Sequence, residues 1–378
     1  MADPYQPDYL DSAERAAHFL DSIRDVRDLA IDTEGASFHR YVDRIYLLQL
    51  STQDLSAIID PLQAGDLPGL GKLLEDRAVE VVFHDADYDL RLLRQDYGWH
   101  ATHIFDTRIA AQLLGIPAFG LAALLERYFG VKLDKQHQRA DWSMRPLTPG
   151  MLDYAAQDTR YLLELRDRLR SELEAKGRMG WAEEEFIRLE SVEFAPDDSS
   201  MSFLRLKGAR DLKRRELAVL RELVPWREER AAALDRSTFR VIGNEALLEI
   251  ARVQPKSKAE LGAIKGVPKG VLERHASELL DAVERGLAVP ESELPRFPKA
   301  PRWDRDPDFD ANLAKLRTVR DAAAARLELD PGVLCSRDRM EAVARRKPQS
   351  VEELREIPEL RRWQADVLGA DFVAALRG

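Results

Sequence analysis

The chain contains a displaced copy of part of itself. Shifting it by 93 positions lays Val241, Leu247, Ile250, Ala251, Pro255, Ser257, Leu261 and Ile264 onto Leu334, Met340, Val343, Ala344, Pro348, Ser350, Leu354 and Ile357. Beyond about residue 205 there are no strong strand signals, only apolar residues at helical spacing, so the repeat predicts two related all-helical domains. The stretch between them, LAVPESELPRFPKAPRWDRDPDF, is rich in Pro and charge and reads as an extended, stiff linker. Predicted boundaries are 205–290 for the first helical domain, 291–307 for the linker and 308–378 for the second.

The first 195 residues read differently. DLAID, RIYLLQLS and LSAIIDPL are β-rich runs separated by gaps short enough for an antiparallel meander. A helix around LPGLGKLLED follows, and then strand leads into helix twice: VEVVFH into YDLRLLRQDYG, and THIFD into TRIAAQLLG. A last helix is predicted from Thr148, a suitable N-cap, and Pro149, suited to the first helical position, through LDYAAQDTRYLLELRDRL. The expected fold is α/β plus all-α: a mixed sheet flanked by helices, then two small helical domains. With 378 residues and 45% apolar content, two or three cores are affordable. No run approaches the length of a membrane span, and the acidic opening lacks the basic flank of a signal peptide, so a cytoplasmic location is expected. The single cysteine, Cys335, excludes an intrachain disulfide and reads as a small buried apolar residue.

Chemistry concentrates in three short motifs. Asp32 and Glu34 in IDTEG alternate along a strand and so share one face. Asp89 in FHDADYD falls in the first turn of a helix, where Asp85 or Asp87 is the expected N-cap. Tyr154 and Asp158 in YAAQD are spaced i, i+4 on one helical face, where one bound water can touch both the phenol and a metal held by the carboxylate. Carboxylates gathered in a cleft repel one another, so a set of four needs cations to be stable.

In combination and order, these motifs resemble the tyrosine-bearing branch of the DEDD exonuclease superfamily. FDTRIAAQLLG and DWSMRPLT are further similar to the ribonuclease D family, and the helical repeats resemble the HRDC domain, so the likeness spans nearly the whole chain. It implies an RNase H-like exonuclease domain over 1–195 and a two-metal 3′ to 5′ exoribonuclease that releases 5′-mononucleotides from RNA 3′ ends, with tRNA precursors among its substrates. It also implies roles. Asp32, Glu34 and Asp158 would hold one Mg²⁺ or Mn²⁺, Asp32 and Asp89 the second, and Tyr154 would orient the nucleophile. Two departures stand out: Gly35 replaces a residue often bulky in the family, which Phe38 or Tyr41 would have to compensate, and Asp85 replaces an Asn.

Net charge is −10, but residues 205–290 hold about eighteen Lys and Arg against about thirteen Asp and Glu, which leaves the first two hundred residues to carry the acid. A sequence-blind grip on RNA phosphates is therefore expected from Lys213, Arg214 and Arg215, and from the basic stretch holding Lys135 and Arg145, where Trp142 should dock in the core. Asp106 is expected to be an N-cap or buried structural acid, and His84 a hydrogen-bonded structural histidine. Two alternative readings are a DNA exonuclease of related fold and a non-catalytic RNA-binding scaffold; the helical repeats are also candidates for binding protein partners.

Overall fold

The strand runs and helical stretches become a mixed sheet, its helices and two helical repeats in a computed structural model that describes residues 7–133, 136–195, 201–298 and 306–377. The strands are β1 (Asp8–Leu10), β2 (Asp28–Glu34), β3 (Leu47–Ser51), β4 (Ser56–Ile59), β5 (Glu80–Phe83) and β6 (Ile104–Asp106), in the order β1-β4-β3-β2-β5-β6. The expected meander is β2-β3-β4, antiparallel throughout, and β5 and β6 add in parallel after their crossover helices. The sequence reading missed β1, a three-residue edge strand that pairs in parallel with β4. Such a short run carries almost no periodicity, and only the neighbouring strand selects it. The central strands are buried on both faces, which explains the near-continuous apolar runs LAI and LLQL.

The predicted last helix is two. Pro149–Arg160 starts where expected, with Thr148 Oγ1 accepting from Met151 N, but it ends at Tyr161 and a second helix, Leu162–Ala175, follows. The break releases the Leu-rich second half to bury Leu162, Leu165, Leu169 and Leu173 in the core.

The chain divides into two compact units. The first combines the sheet and its helices with the second helical repeat; one of its apolar cores runs from Val82 and Phe105 to Leu354 and Phe372, and another, from Leu10 to Ile104, lies within the sheet domain. Trp181 stacks on Trp363 with centroids 4.8 Å apart, and Arg361 Nε donates to both oxygens of Glu185. Glu184 accepts the backbone amides of Arg362 and Trp363, capping the last helix, Arg362–Arg377. Arg178 donates to the Leu113 and Leu327 carbonyls, bridging the two parts.

The second unit is the first helical repeat together with Gly35–Arg44, the segment inserted between β2 and β3. Ser237 Oγ donates to the Ser37 carbonyl, Arg40 pairs with Asp235, and Phe38 meets Phe239 edge-on at 6.3 Å. Tyr41 packs against the repeat's core. Phe38 and Tyr41 thus make contacts within this helical unit. Helix Arg214–Leu234 packs on helix Lys269–Ala288 so closely that a Cβ on Gly286 would lie 2.4 Å from Val219 Cα.

The two repeats agree in local detail. Every apolar residue of the 93-position overlay is buried in both copies. Ser257 and Ser350 both cap helices, accepting from Glu260 N and Glu353 N, and Gln254 and Lys347 both take positive φ, at 53° and 46°.

Gly115, at φ +80°, stands where an added Cβ would sit 2.0 Å from the Glu328 carbonyl oxygen of the second repeat. Gly115→Ala is expected to cost about 2–4 kcal/mol, combining a left-handed backbone with overpacking at the seam. Thermal unfolding of the full chain measures it; an unchanged Tm would show that the seam yields.

Candidate active site

Asp32 and Glu34 project from one face of β2, and the Pro149–Arg160 helix packs across β2, β3 and β4, bringing Asp158 to them. One carboxylate oxygen from each of Asp32, Glu34 and Asp158 lies within 4.8 Å of the others. Asp89 stands outside this triplet. It is only 4% exposed, in the first turn of helix Asp87–Tyr97, and its Oδ1 accepts from Thr33 N at 3.0 Å and Thr33 Oγ1 at 2.5 Å. Thr33, between the two motif acids, therefore ties the second motif to the first.

No Lys or Arg pairs with any of the four carboxylates among the described residues. Their electrostatics show the consequence. Burial and then Asp158 push Asp32 well above the ordinary carboxylate range; burial, Asp32, Asp158 and Asp89 do the same to Glu34, against the Gln49 amide. Burial and Asp32 raise Asp89 despite the Thr33 donors, and burial and Asp89 carry Asp158 up to about 7. Tyr154 is raised as well, by burial, Asp158, Glu34 and Asp32, and so is a phenol at neutral pH. Its ring lies between His137 and Trp142, with centroids at 6.2 and 6.0 Å. Trp142 is buried in the core, as expected.

Several residues that position the site carry no motif of their own. Gln49 is fully buried on β3 directly opposite Asp32; a lone amide inside the apolar run LLQLS was the available signal. Ser51 Oγ meets Thr159 Oγ1 at 2.8 Å, pinning the motif helix to β3 beside Asp158. Asp106 is the expected buried cap, and more. It accepts from Arg108 N and Ile109 N at its own helix and from Asp85 N and Ala86 N at the preceding one. The N-cap role assigned to Asp85 or Asp87 is thus performed from a neighbouring strand: the N-cap position is Ala86. Asp85, at φ 69°, pairs with Arg108 instead. His84 is structural. Its Nδ1 meets Thr107 Oγ1 at 2.9 Å while that hydroxyl donates to the Phe83 carbonyl, and burial with Arg108 nearby holds its pKa down at about 4.

The basic candidates for RNA contact fare differently. Lys135 lies outside the described residues. Arg145 is engaged as a clamp within the protein: it binds both oxygens of the fully buried Asp60 and donates to the Tyr46, Trp142 and Met144 carbonyls. Tyr9 also donates to Asp60, and although burial opposes it, these donors hold the Asp60 carboxyl below its ordinary value. Arg214 donates to the Glu291 and Leu294 carbonyls, and Arg215 to those of Leu287 and Val289, closing the end of the Lys269–Ala288 helix. Both guanidiniums satisfy backbone that would otherwise be unpaired, whereas Lys213 stays exposed.

Comparison with known proteins gives a consistent picture. A family model described as 3′-5′ exonuclease matches residues 7–174, and the HRDC domain model matches 216–283 and 310–376. Ribonuclease D of Granulibacter bethesdensis is 31% identical over 98% of this chain and 93% of its own length; that of Escherichia coli is 33% identical over 74% and 75%. The crystal structure of Escherichia coli RNase D, described as an exoribonuclease involved in structured RNA processing, superposes with a TM-score of 0.76 at 26% identity, covering 98% of each chain. A Bifidobacterium adolescentis protein superposes with a TM-score of 0.86 at 26% identity over 99% and 97%.

The raised carboxylates fix a pH signature. Each folded-state pKa lies above its unfolded value, so the metal-free protein loses stability as pH climbs from about 4 toward about 7 and does not regain it above. Divalent cations should offset that loss. Mg²⁺ or Mn²⁺ is expected to raise Tm more at pH 8 than at pH 5, with proton release on binding near pH 6; equal shifts at both pH values would place the cation elsewhere.

Arg145→Gln leaves Asp60 charged and buried without its partner. A loss of about 3–5 kcal/mol is expected in chemical denaturation, with RNA affinity of the folded fraction unchanged. Weakened RNA binding at unaltered stability would restore the phosphate role.

Proposed function

The chain belongs to the ribonuclease D family and is a 3′–5′ exoribonuclease, and from that premise we propose that it trims RNA 3′ ends one nucleotide at a time, releasing 5′-mononucleotides with the help of two divalent cations. Precursors of tRNA and other structured RNAs are the proposed substrates, supported by the likeness to Escherichia coli RNase D. The observation that carries the reading is the meeting of Asp32, Glu34 and Asp158 with no cationic side chain paired to them among the described residues. An all-carboxylate donor set suits hard cations such as Mg²⁺ or Mn²⁺.

Asp32, Glu34 and Asp158 are assigned to one cation, and Asp32 with Asp89 to the other. When bound, such a pair lowers the pKa of water and stabilises the attacking and departing oxygens of an in-line displacement. The chain's own residues supply the rest. The Tyr154 phenol keeps its proton and so can donate a hydrogen bond to the attacking water, while His137 and Trp142 restrict its ring. Thr33 fixes Asp89 in rotation, and Gln49, buried on the neighbouring strand opposite Asp32, places an amide beside Glu34. His84, already neutral and hydrogen-bonded, has no call to serve as a general base. No helix among the described residues is long and apolar enough to cross a membrane.

Time-resolved digestion of a 3′-tailed RNA, labelled at either terminus and compared with a matched DNA, tests the reading. Single-nucleotide steps from the 3′ end that need Mg²⁺ or Mn²⁺ and stop in EDTA are expected. Asp32→Asn and Asp158→Asn should each lower kcat by at least about 100-fold, and Tyr154→Phe by about 10–100-fold with cation affinity preserved. Activity surviving Asp32→Asn would remove the two-cation assignment, and faster cleavage of the DNA strand would favour the rival substrate.

A further inference from the structure

A second polar site lies at the seam of the first unit, where helix Thr107–Leu113 of the sheet domain faces the second helical repeat. There a cavity of about 260 Å³, room for roughly eight or nine waters, is lined by Gln112, Glu185, Val333, Ser336, Arg339 and Trp363 among others. Three of these polar side chains, Gln112, Ser336 and Arg339, make no hydrogen bond or ion pair with any described residue. Ser336 occupies an N-cap position, yet its hydroxyl caps nothing. The carboxylate in the lining does not serve Arg339, because Glu185 is already held by Arg361 Nε and Trp363 Nε1.

Arg339 is therefore a half-buried guanidinium with no described residue of opposite charge bound to it. Burial, and then the like charge of Arg361, hold its pKa below the usual arginine value, with Arg188 adding to the repulsion. Of the charged groups that act on it, Arg361 and Arg188 are unfavourable and Glu185 is favourable but engaged. Other arginines on the same helix are satisfied: Arg337 and Arg345 both pair with Glu341, and Arg346 pairs with Glu359. A half-buried guanidinium with no anionic partner among the described residues, set beside an amide and a hydroxyl that are likewise unengaged, has most to gain from a negatively charged ligand. A planar fork of N–H donors together with an N–H₂ and an O–H matches a tetrahedral oxyanion.

We propose that this cavity binds a phosphate group, held by Arg339 with Gln112 and Ser336. Because it lies outside the carboxylate site and belongs to both the sheet domain and the second repeat, its natural source is a backbone phosphate of the RNA body; that part rests on the exoribonuclease reading. Free inorganic phosphate offers the same chemistry, and the two sources are separable.

The test uses the full chain, as wild type and as Arg339→Gln, with Gln112→Ala as the milder second variant should the first not fold. In EDTA, inorganic phosphate is expected to raise the wild-type Tm above that in chloride at equal ionic strength, and to lose that effect in both variants. In an Asp32→Asn background, fluorescence anisotropy with a 3′-tailed RNA hairpin should show several-fold weaker binding in the variant. The slope of log K against log salt should become shallower by about 0.7–0.9, one phosphate contact. Hydrolysis of a trinucleotide by the otherwise wild-type Arg339→Gln protein should be unchanged, and because wild-type hydrolysis is scored separately, loss of the exonuclease reading and loss of this site are distinguishable. A lost phosphate response with unaltered RNA binding supports the site and assigns it to the free anion. Folded variants that keep both the phosphate response and the RNA salt slope of the parent overturn the proposal.

Discussion

Everything in the sheet domain answers to one electrostatic constraint: four carboxylates held near one another with no cationic side chain paired to them among the described residues. Such an arrangement cannot be left to flexible loops, because mutual repulsion would open it. Two of the acids therefore sit on β2, where Asp32 and Glu34 pair with β3 and the strand just before them is held by β5. A third sits on a helix laid across the sheet and fastened by Ser51 and Thr159, and the fourth is tied to β2 by Thr33. The price in repulsion is what makes the site a receptor for hard cations: a ligand set already balanced by arginines would have little to gain from one.

The positioning is done by polar residues buried for that purpose, and they act one step removed from the acids. Asp106 illustrates the logic. A single buried carboxylate collects four backbone amides from the starts of two helices, so that the helix carrying Asp89 and the helix lining the seam begin at fixed points relative to each other. Arg145 and Asp60 do the same for the loop leading into the Pro149–Arg160 helix, joining it to β4 and, through Tyr9, to β1.

How much of this was legible depended on whether the physics was local. Strand alternation placed Asp32 and Glu34 on one face, i, i+4 spacing did so for Tyr154 and Asp158, and the Thr148–Pro149 start held because caps act within one turn. The break at Tyr161, the edge strand Asp8–Leu10 and the partner of Thr33 were not legible, since each is decided by a residue distant in sequence. Charge was the least discriminating signal. Counting cations made Arg145, Arg214 and Arg215 look available to phosphates, yet a guanidinium in a loop or first turn is equally a tool for satisfying carbonyls, and composition cannot tell the two uses apart.

The repeat carries the same lesson one level up. Its two copies share buried positions, serine caps and left-handed residues, so duplication preserved the internal fold. What it did not preserve is the outer surface. At the positions equivalent to Arg361 and Trp363, which dock the second copy on the sheet domain, the first copy has Pro268 and Gly270. At those of Ser336 and Arg339 it has Gly243 and Ala246. The residues that attach the second copy to the sheet domain and those that line the seam cavity therefore differ from the first copy together. An unpaired arginine beside a docking surface absent from the first copy is not a relic of the common repeat, since the small Ala246 shows that the helix needs no cation there to fold. The second copy carries a charge that its own packing does not use, and that is the physical ground for looking to a ligand to account for it.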